Sequence, residues 1–180
     1  MNTEPSFEQI VKDFTPTVYG VALTHTARRV DADDVFQEVF HAYWRARPSV
    51  TSEEHRKAWL IRTTLNFCLK VTQSSWAKKT VYADDSLSSG SLPNDVLASG
   101  SLPPAELPSA DFPFYTEQQV ALYEALRTLP GAYRTALQLF YFEDLPIARI
   151  AEVLGEEQGA IKTRLSRARA QLREKLKEGV

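Results

Sequence analysis

The chain has 180 residues, of which 43% are apolar, and a net charge of −2, a composition ordinary for one medium or two small globular domains. Its single cysteine, Cys68, excludes an intrachain disulfide and fits a reducing compartment. No basic-then-apolar leader and no apolar run of the ~18 residues that a membrane span needs is present, so we expect a cytoplasmic protein without membrane insertion.

Charge divides the sequence into three blocks. Residues 1–79 hold 11 basic and 9 acidic residues, and residues 117–180 hold 10 basic and 9 acidic residues. Residues 80–116 hold five acidic residues and neither Lys nor Arg. The sequence therefore predicts two balanced domains, 1–79 and 117–180, separated by an acidic linker, 80–116.

The first block has helical periodicity throughout. Ser6 and Gln9 have the spacing of a capping box at the start of a first helix, which Pro16 is expected to kink or restart. Asp31 and the acids that follow it predict the N-cap and first turn of a second helix, which must end before Pro48. A third helix is predicted from near Ser52 to about residue 72.

The linker differs from both domains in composition. Ser, Gly and Pro dominate residues 81–114, and such a segment cannot bury a core, so we predict a flexible tether. It nevertheless carries scattered apolar residues, which are compatible with a partner's groove. They are Leu92, Val96, Leu97, Leu102 and Leu107.

The second block predicts four helices. A capping box at Thr116 begins the first, and Leu129-Pro130-Gly131 separates helices 117–128 and 131–142. Pro146 is acceptable in the first turn of a short third helix, and Gly155 ends that helix with a sharp turn. A short helix, a glycine turn and a longer helix together indicate a helix-turn-helix that binds DNA.

The last helix, predicted over residues 158–177, separates its side chains by face. Apolar residues recur at steps of three and four and predict a packing stripe. They are Ile161, Leu165, Ala168, Leu172 and Leu176. Thr163, Ser166 and Arg167 lie on the opposite side, and seven Lys or Arg residues face a single acid, Glu174. Such a helix suits the major groove of DNA.

Nothing in the sequence indicates a catalytic or metal site, and we expect no cofactor. His25, His41 and His55 are too scattered to form a metal site, and the apolar neighbours of Cys68 predict a buried, inert thiol. Trp44 and Trp59 are expected in the core. An enzyme acting on nucleic acid would need a metal ligand or a histidine beside the acidic pair Asp33-Asp34, and none is evident.

Three segments together resemble the extracytoplasmic-function (ECF) sigma factors, the two-domain initiation factors of the sigma-70 family. They are Asp33–Trp44, Lys57–Arg62 with Asn66, and the set Ala125–Pro130, Tyr141–Glu143 and Lys162–Arg169. The resemblance implies an all-α fold of two small helical domains, a region 2 bundle and a region 4 helix-turn-helix, joined by a flexible linker. It implies a sigma factor without a catalytic centre, whose partners are core RNA polymerase and promoter DNA.

The resemblance also implies roles for particular residues. Polymerase docks on the polar face of the second helix: Asp33, Asp34, Gln37, Glu38 and His41. The −10 promoter element lies near the loop 45–57 and near Arg62, Thr63 and Asn66. The −35 element is bound by Lys162, Thr163, Arg164, Ser166 and Arg167. Family members commonly pair with an anti-sigma protein, and the apolar linker residues are compatible with one.

Two features at the turn before the last helix bear on affinity. Glu156 and Glu157 stand where the family usually has an apolar residue and a Ser cap. Acids at a helix N-terminus stabilise the helix but oppose the approach of phosphate, so we expect the second domain alone to bind DNA weakly.

A stand-alone repressor or activator is the main alternative to a sigma factor. Such proteins usually dimerise to bind palindromes, and no segment here indicates a dedicated dimer helix, so we expect a monomer. Failure of the wild-type chain to bind core polymerase would favour this alternative. Metal-dependent cleavage of DNA or RNA would favour an enzyme.

Overall fold

The computed structural model describes residues 5–46, 48–50, 52–76 and 116–178, and all regular structure in these ranges is helical. The predicted linker, 80–116, lies outside the described residues, apart from Thr116 at its end. The all-α, two-domain fold that the sequence predicts is confirmed.

Three helices form the first domain: α1 (Phe7–His25), α2 (Arg29–Ala46) and α3 (Glu53–Trp76). Each of the three packs against the other two around an apolar centre. The predicted stripes supply this centre, because buried positions recur at three- and four-residue steps, as in Val35, Val39 and Tyr43 of α2. Leu60, Ile61 and Leu65 of α3 are fully enclosed.

Two boundaries in this domain differ from prediction. α1 runs through Pro16 as one helix from Phe7 to His25, so of the predicted kink or restart at Pro16 the restart does not occur. α2 begins at Arg29, so Asp31 lies inside the first turn rather than at the N-cap. There its buried carboxylate accepts hydrogen bonds from the exposed Arg28, at 2.7 and 3.1 Å.

The second domain contains four α-helices: α4 (Glu117–Arg127), α5 (Gly131–Leu137), α6 (Ile147–Leu154) and α7 (Gln158–Glu178). Thr116 and Gln119 form the predicted capping box at the start of α4. Gly155 ends α6 in the left-handed conformation, with φ of 68°, which glycine adopts without steric cost. α7 packs along α5 and α6.

The predicted helix 131–142 is wrong in its second half. α5 ends at Leu137, and Gln138–Phe142 continue as a π-helical turn, closed by the Glu143 amide donating to the Gln138 carbonyl at 3.3 Å. The extra residue in a π turn shifts the side chains that follow it relative to an α-helix. Gln138, at the start of this turn, is buried, while Tyr141, inside it, is exposed.

The two domains pack against each other. α4 contacts α1, and α6 contacts α3. The surfaces that meet are rich in buried polar side chains, among them His25, Arg127, Gln138 and Glu143. The second domain thus rests on the C-terminal end of α1 and the N-terminal part of α3.

Two predicted core positions are wrong. Trp44 is 50% exposed, because its ring lies at the surface edge-on to Phe7, with ring centres 5.0 Å apart. Leu176 is 49% exposed and lies at the edge of an open groove near the end of α7. Trp59 packs on Tyr43 as expected, at 5.4 Å, and Cys68 is buried, with the pKa of its thiol raised by desolvation.

Candidate nucleic-acid interface

The helix-turn-helix is formed by α6, a turn at Gly155–Glu157, and α7. Its packing face is apolar and fully enclosed at Ile150, Leu154, Ile161 and Leu165. This packing fixes α7 on α6, so the opposite face of α7 is presented to solvent as one rigid surface.

Four of the five residues predicted to contact the −35 element lie on that surface. Lys162, Thr163, Ser166 and Arg167 are all exposed. The Thr163 hydroxyl donates to the Gly159 carbonyl at 3.1 Å, which holds its side chain against the helix backbone. Cationic and hydroxyl groups together on an exposed helix face suit contacts to phosphates and base edges.

The fifth residue, Arg164, is held by a carboxylate. Its guanidinium donates two hydrogen bonds to Glu156, at 2.9 and 2.5 Å, in a bidentate pair whose side chains are both mostly buried. Such fork-to-fork pairs fix both position and charge. The charge of Arg164 is therefore neutralised by Glu156 in this conformation, and its guanidinium is not available to another anion.

The polar face of α2 forms a second exposed surface. Asp34, Gln37, Glu38 and His41 are exposed. Asp33 is half-buried and accepts a hydrogen bond of 2.6 Å from the Tyr19 hydroxyl. Burial, with this hydrogen bond and the Asp33 charge, raises the pKa of Tyr19 to about 12. Asp33 thus links α2 to α1, while the other four side chains are open to a partner.

An aromatic hollow adjoins this face. Phe7, Phe40, His41 and Trp44 line an open depression of about 390 Å³. His41 belongs to both surfaces, so the acidic face and the exposed Trp44 ring form one continuous area. Apolar area beside charged groups is typical of a protein-binding surface.

The three residues predicted to contact the −10 element differ in accessibility. Arg62 and Asn66 are half-buried on α3. Thr63 is only 5% exposed and lies one turn from Trp59, which packs against α2. Thr63 is therefore closed to a DNA strand in this conformation. Of the predicted loop 45–57, Arg47 and Thr51 lie outside the described residues.

A basic apolar groove lies between the π turn and the end of α7. It measures about 380 Å³ and combines Leu137, Tyr141, Leu172 and Leu176 with the cations Arg169, Arg173 and Lys177. Arg169 lies 5.7 and 5.8 Å from the ring centres of Phe140 and Tyr141. The groove is on the part of α7 beyond the residues predicted to bind DNA.

Sequence reasoning missed the groups that join the two domains. Arg127 and Glu143 lie in segments that carry the family resemblance, but their spacing gives no sign that their partners are about a hundred residues away in α1 and α3. The sequence shows His25 only as one of three scattered histidines, and it lies buried at this junction. Burial, with Arg134 and Arg127 nearby, lowers its pKa to about 3.

Two further observations concern the described part of the chain. Within it, no group of three or more His, Cys, Asp or Glu side chains is placed to hold a metal ion. None of the helices there has the length and apolar character to cross a membrane.

Comparisons with known proteins agree with both halves of the fold. Residues 10–77 match the family model for sigma-70 region 2, and residues 119–172 match that for sigma-70 region 4. The RNA polymerase sigma factor SigV of Bacillus subtilis is 29% identical, over 88% of this chain and 83% of its own length. The ECF RNA polymerase sigma factor SigM of Mycobacterium tuberculosis is 26% identical, over 93% of this chain and 75% of its own length.

A solved structure has the same fold. The sigma factor RpoE of Bartonella quintana, in complex with the anti-sigma factor NepR, superposes with a TM-score of 0.66 and 23% identity. The likeness covers 95% of this chain and 96% of that one.

Proposed function

The chain belongs to the sigma-70 family and has the two-domain organisation of ECF sigma factors; from this premise we propose which of its surfaces bind polymerase and which bind promoter DNA. The protein binds core RNA polymerase and directs promoter-specific transcription initiation. One observation carries the assignment of surfaces: an exposed acidic face on α2 and an exposed basic face on α7 occur in the same chain, one in each matched region.

The α2 face is the proposed polymerase-docking surface. Asp34, Gln37, Glu38 and His41 supply charge and hydrogen bonds, and Trp44 adds an aromatic anchor at the edge. Complementary charge speeds and orients association, while a buried aromatic ring supplies much of the binding energy. Asp33 contributes through its bond to Tyr19, which holds α2 in place against α1.

The α7 face is the proposed −35 contact. Lys162 and Arg167 are free to reach phosphates or guanine edges, and Thr163 and Ser166 add hydroxyl contacts. Arg164 joins them when a phosphate replaces Glu156 as its partner. Arg62 and Asn66 are the proposed contacts to the −10 strand, and the burial of Thr63 supports a packing role for it instead.

The relatives also suggest a regulatory partner. The Bartonella sigma factor was solved with an anti-sigma protein bound, and we propose that this chain too is controlled by such a protein. Like other members of the family, it acts as an initiation factor, and we propose that it has no catalytic activity of its own.

Co-elution with core RNA polymerase in size-exclusion chromatography tests the docking surface. We expect wild type to co-elute and the Asp34→Arg/Gln37→Ala variant to elute alone, because the new cation opposes the partner's positive surface. Gln9→Ala/Asp13→Arg makes the same two changes at exposed positions of α1 and should still co-elute. Equal behaviour of both variants would contradict the assignment of α2.

Selection from a pool of random-sequence duplexes with the holoenzyme tests the α7 face. Wild-type holoenzyme should enrich a motif, and Lys162→Ala/Arg167→Ala should bind core polymerase normally but lose the upstream half of that motif. Enrichment of the same upstream half by the variant would remove α7 from the −35 contact.

A further inference from the structure

The first turn of α7 contains a glycine that the fold does not require. Gly159 lies inside the helix, and among the described glycines a positive φ occurs at Gly155 rather than here. A methyl group added at Gly159 would meet no atom within 4 Å, leaving aside its chain neighbours and the backbone of its own helix. Neither backbone conformation nor packing within the protein therefore accounts for the missing side chain.

Glycine at this position weakens the helix. It loses more conformational freedom on folding than alanine does, and alanine would fit here, because the space beside Gly159 is open and the residue is exposed. Glycine is also the residue that allows another molecule to approach a backbone closely. A molecule that contacts α7 at this point is a reason for glycine that the fold itself does not supply.

The open space at Gly159 lies on the proposed DNA-binding face of α7. Thr163 follows one turn later on the same side of the helix, and its hydroxyl donates to the Gly159 carbonyl at 3.1 Å. Lys162 and Ser166 lie beside Thr163 on that face, and both are exposed. The N-terminal residues of a recognition helix contact base edges in the major groove. Gly159 is therefore the point at which α7 can enter the groove most deeply.

Gln158, the first residue of α7, lies beside this opening and is exposed. Lys162 follows it by four residues, so the two side chains project from the same side of the helix, ~6 Å apart along its axis. An open hollow of about 540 Å³ adjoins Gln158 and Gly159, with Ala148 and Ala151 of α6 in its wall. The Gln158 amide therefore has room to reach a base edge.

The charge at this end of α7 disfavours phosphate as the partner. Glu157 is exposed directly before Gln158, and Glu156 already holds the guanidinium of Arg164 at 2.5 and 2.9 Å. Carboxylates repel a phosphate and offset the usual attraction of a helix N-terminus for anions. The neutral amide of Gln158 can hydrogen-bond to a base without adding to this repulsion.

A glutamine amide matches one base edge best. It offers one donor and one acceptor, and adenine presents an acceptor at N7 and a donor at N6 in the major groove. Guanine presents two acceptors, N7 and O6, which suit arginine or lysine instead. Gln158 is therefore expected to select adenine.

We propose that α7 enters the major groove at Gly159, and that Gln158 is a specificity-determining residue that reads an adenine there. The inference rests on the proposed function, because it concerns the base sequence that the α7 face recognises. The ~6 Å between Gln158 and Lys162 along the helix corresponds to about two base pairs at ~3.4 Å each. The adenine is therefore expected about two base pairs from the position that Lys162 contacts.

Selection from random-sequence duplexes with the holoenzyme tests the base contact. Wild type should enrich adenine at one position of the upstream half of its motif, and Gln158→Ala should lose the preference at that position alone. Gln158→Arg should change the preferred base from adenine to guanine, because a guanidinium supplies two donors. In competition between duplexes that differ at that base, each preference should be about tenfold.

A matched variant controls for the added charge. Gln171→Arg makes the same substitution at an exposed position in the second half of α7 and should enrich the wild-type motif. A change of base preference is a readout that a purely structural role of Gln158 would not produce.

Opposed effects on stability and on DNA binding test the role of Gly159. Gly159→Ala should raise the melting temperature of the free protein by about 1–3 °C, since alanine favours the helix. As holoenzyme, the same variant should bind the selected duplex about threefold more weakly, and Gly159→Leu about tenfold or more, because the added atoms keep α7 out of the groove. Gln171→Leu places the same side chain later on α7 and should leave the affinity unchanged.

Co-elution with core RNA polymerase separates a lost DNA contact from a lost assembly. The Gln158 and Gly159 variants should all co-elute as wild type does, because the first turn of α7 and the proposed docking face on α2 belong to different domains. Circular dichroism should report unchanged helix content in each variant.

Three outcomes overturn the inference: a motif that Gln158→Ala leaves unchanged, a Gln158→Arg holoenzyme that keeps the wild-type base preference, or a Gly159→Leu holoenzyme that binds the selected duplex as tightly as wild type. A wild-type holoenzyme that enriches no upstream motif would instead remove the proposed −35 contact itself. The first three outcomes require an enriched wild-type motif, so the two failures are distinguishable.

Discussion

The interior of the first domain and the contact between the two domains are both buried, yet they are built from opposite kinds of side chain. Leu60, Ile61 and Leu65 are enclosed by apolar neighbours, whereas Arg127 and Glu143 meet hydroxyls, carbonyls and a lysine. Apolar burial favours the folded state whenever water is present. Polar burial roughly balances hydration, so the same chain holds an apolar core and a polar domain contact whose net stabilisation per bond is smaller.

The largest effect is expected inside the core. Leu65→Ala removes fully buried apolar atoms and leaves a cavity, and it should lower the free energy of unfolding by about 2–5 kcal/mol. Urea unfolding followed by circular dichroism measures this. Leu69→Ala, at a half-buried position one turn later, should cost less. Equal costs at the two positions would contradict the packing described for α3.

Arg127 of the second domain caps the C-terminal end of α1, and its removal is expected to act on the contact between the domains rather than on the core. Arg127→Met keeps most of the side-chain volume but leaves three carbonyls unpaired, and should weaken closing by about 2 kcal/mol. Pulsed electron paramagnetic resonance between spin labels at the exposed positions Lys12→Cys and Gln171→Cys, in a Cys68→Ala background, gives a distance distribution that measures the fraction of molecules with separated domains. Arg28→Met removes an exposed arginine near the same turn and should leave that distribution unchanged. A closed Arg127→Met protein would show that the cap contributes little.

Acid should open the contact, because His25 is held neutral there. Its pKa falls from 6.5 to about 3 through burial, the nearby Arg134 and, to a lesser degree, Arg127. Closing is therefore fully stable above about pH 6.5 and loses stability as the pH falls toward 3. At pH 5 the loss is about 2 kcal/mol if His25 regains its ordinary pKa on opening.

A pH series of the same distance measurement checks this expectation. His25→Gln should flatten the dependence between pH 7.5 and 5, while His41→Gln, at an exposed position, should leave it as in wild type. Cys68 and Arg134 also lie near this site but do not change charge in that range. An equally steep dependence without His25 would assign the effect to other groups.

The smallest effect is expected where a polar pair lies within one domain. Glu156→Gln releases Arg164 and removes one negative charge from the turn, so non-specific DNA binding by the holoenzyme should strengthen about 3- to 10-fold. A salt titration on a duplex of fixed sequence measures this. The plot of log affinity against log salt concentration should be steeper by about one unit. Glu174→Gln, which removes an exposed acid near the other end of α7, is the matched control. Unchanged affinity would mean that the pair with Glu156 does not limit the contact of Arg164 with phosphates.

Local patterns predicted most of the helices, because their periodicity and end signals are short-range. Thr116 and Gly155 were recognised by spacing alone, and both act as expected. Errors arose at two positions where a local signal gave the wrong boundary. Asp31 lies inside the first turn of α2 and pairs with Arg28, and α1 continues through Pro16 beside the buried Thr17 and Val18.

The predicted site residues divide into those whose exposure follows from a local pattern and those whose environment depends on tertiary contacts. Lys162 and Arg167 are exposed because they lie on the side of α7 away from its apolar stripe. The spacing of that stripe can be read directly from the sequence. Arg164 pairs with Glu156, eight residues earlier in the chain, because the turn between α6 and α7 brings the two side chains together. The burial of Thr63 depends on the packing of α3 against α2. Neither is encoded in a periodicity.

The sequence by itself determined the two all-helical domains and the basic face of α7, since these depend on composition and on steps of three and four residues. Its three family-like segments identified the family by resemblance. Only the tertiary structure decided that the domains meet, and through which groups. Arg127 and Glu143 find partners about a hundred residues away, and no local pattern records a polar contact between surfaces that each look ordinary alone. Pairing at that distance is set by the shapes and charges of whole folded domains.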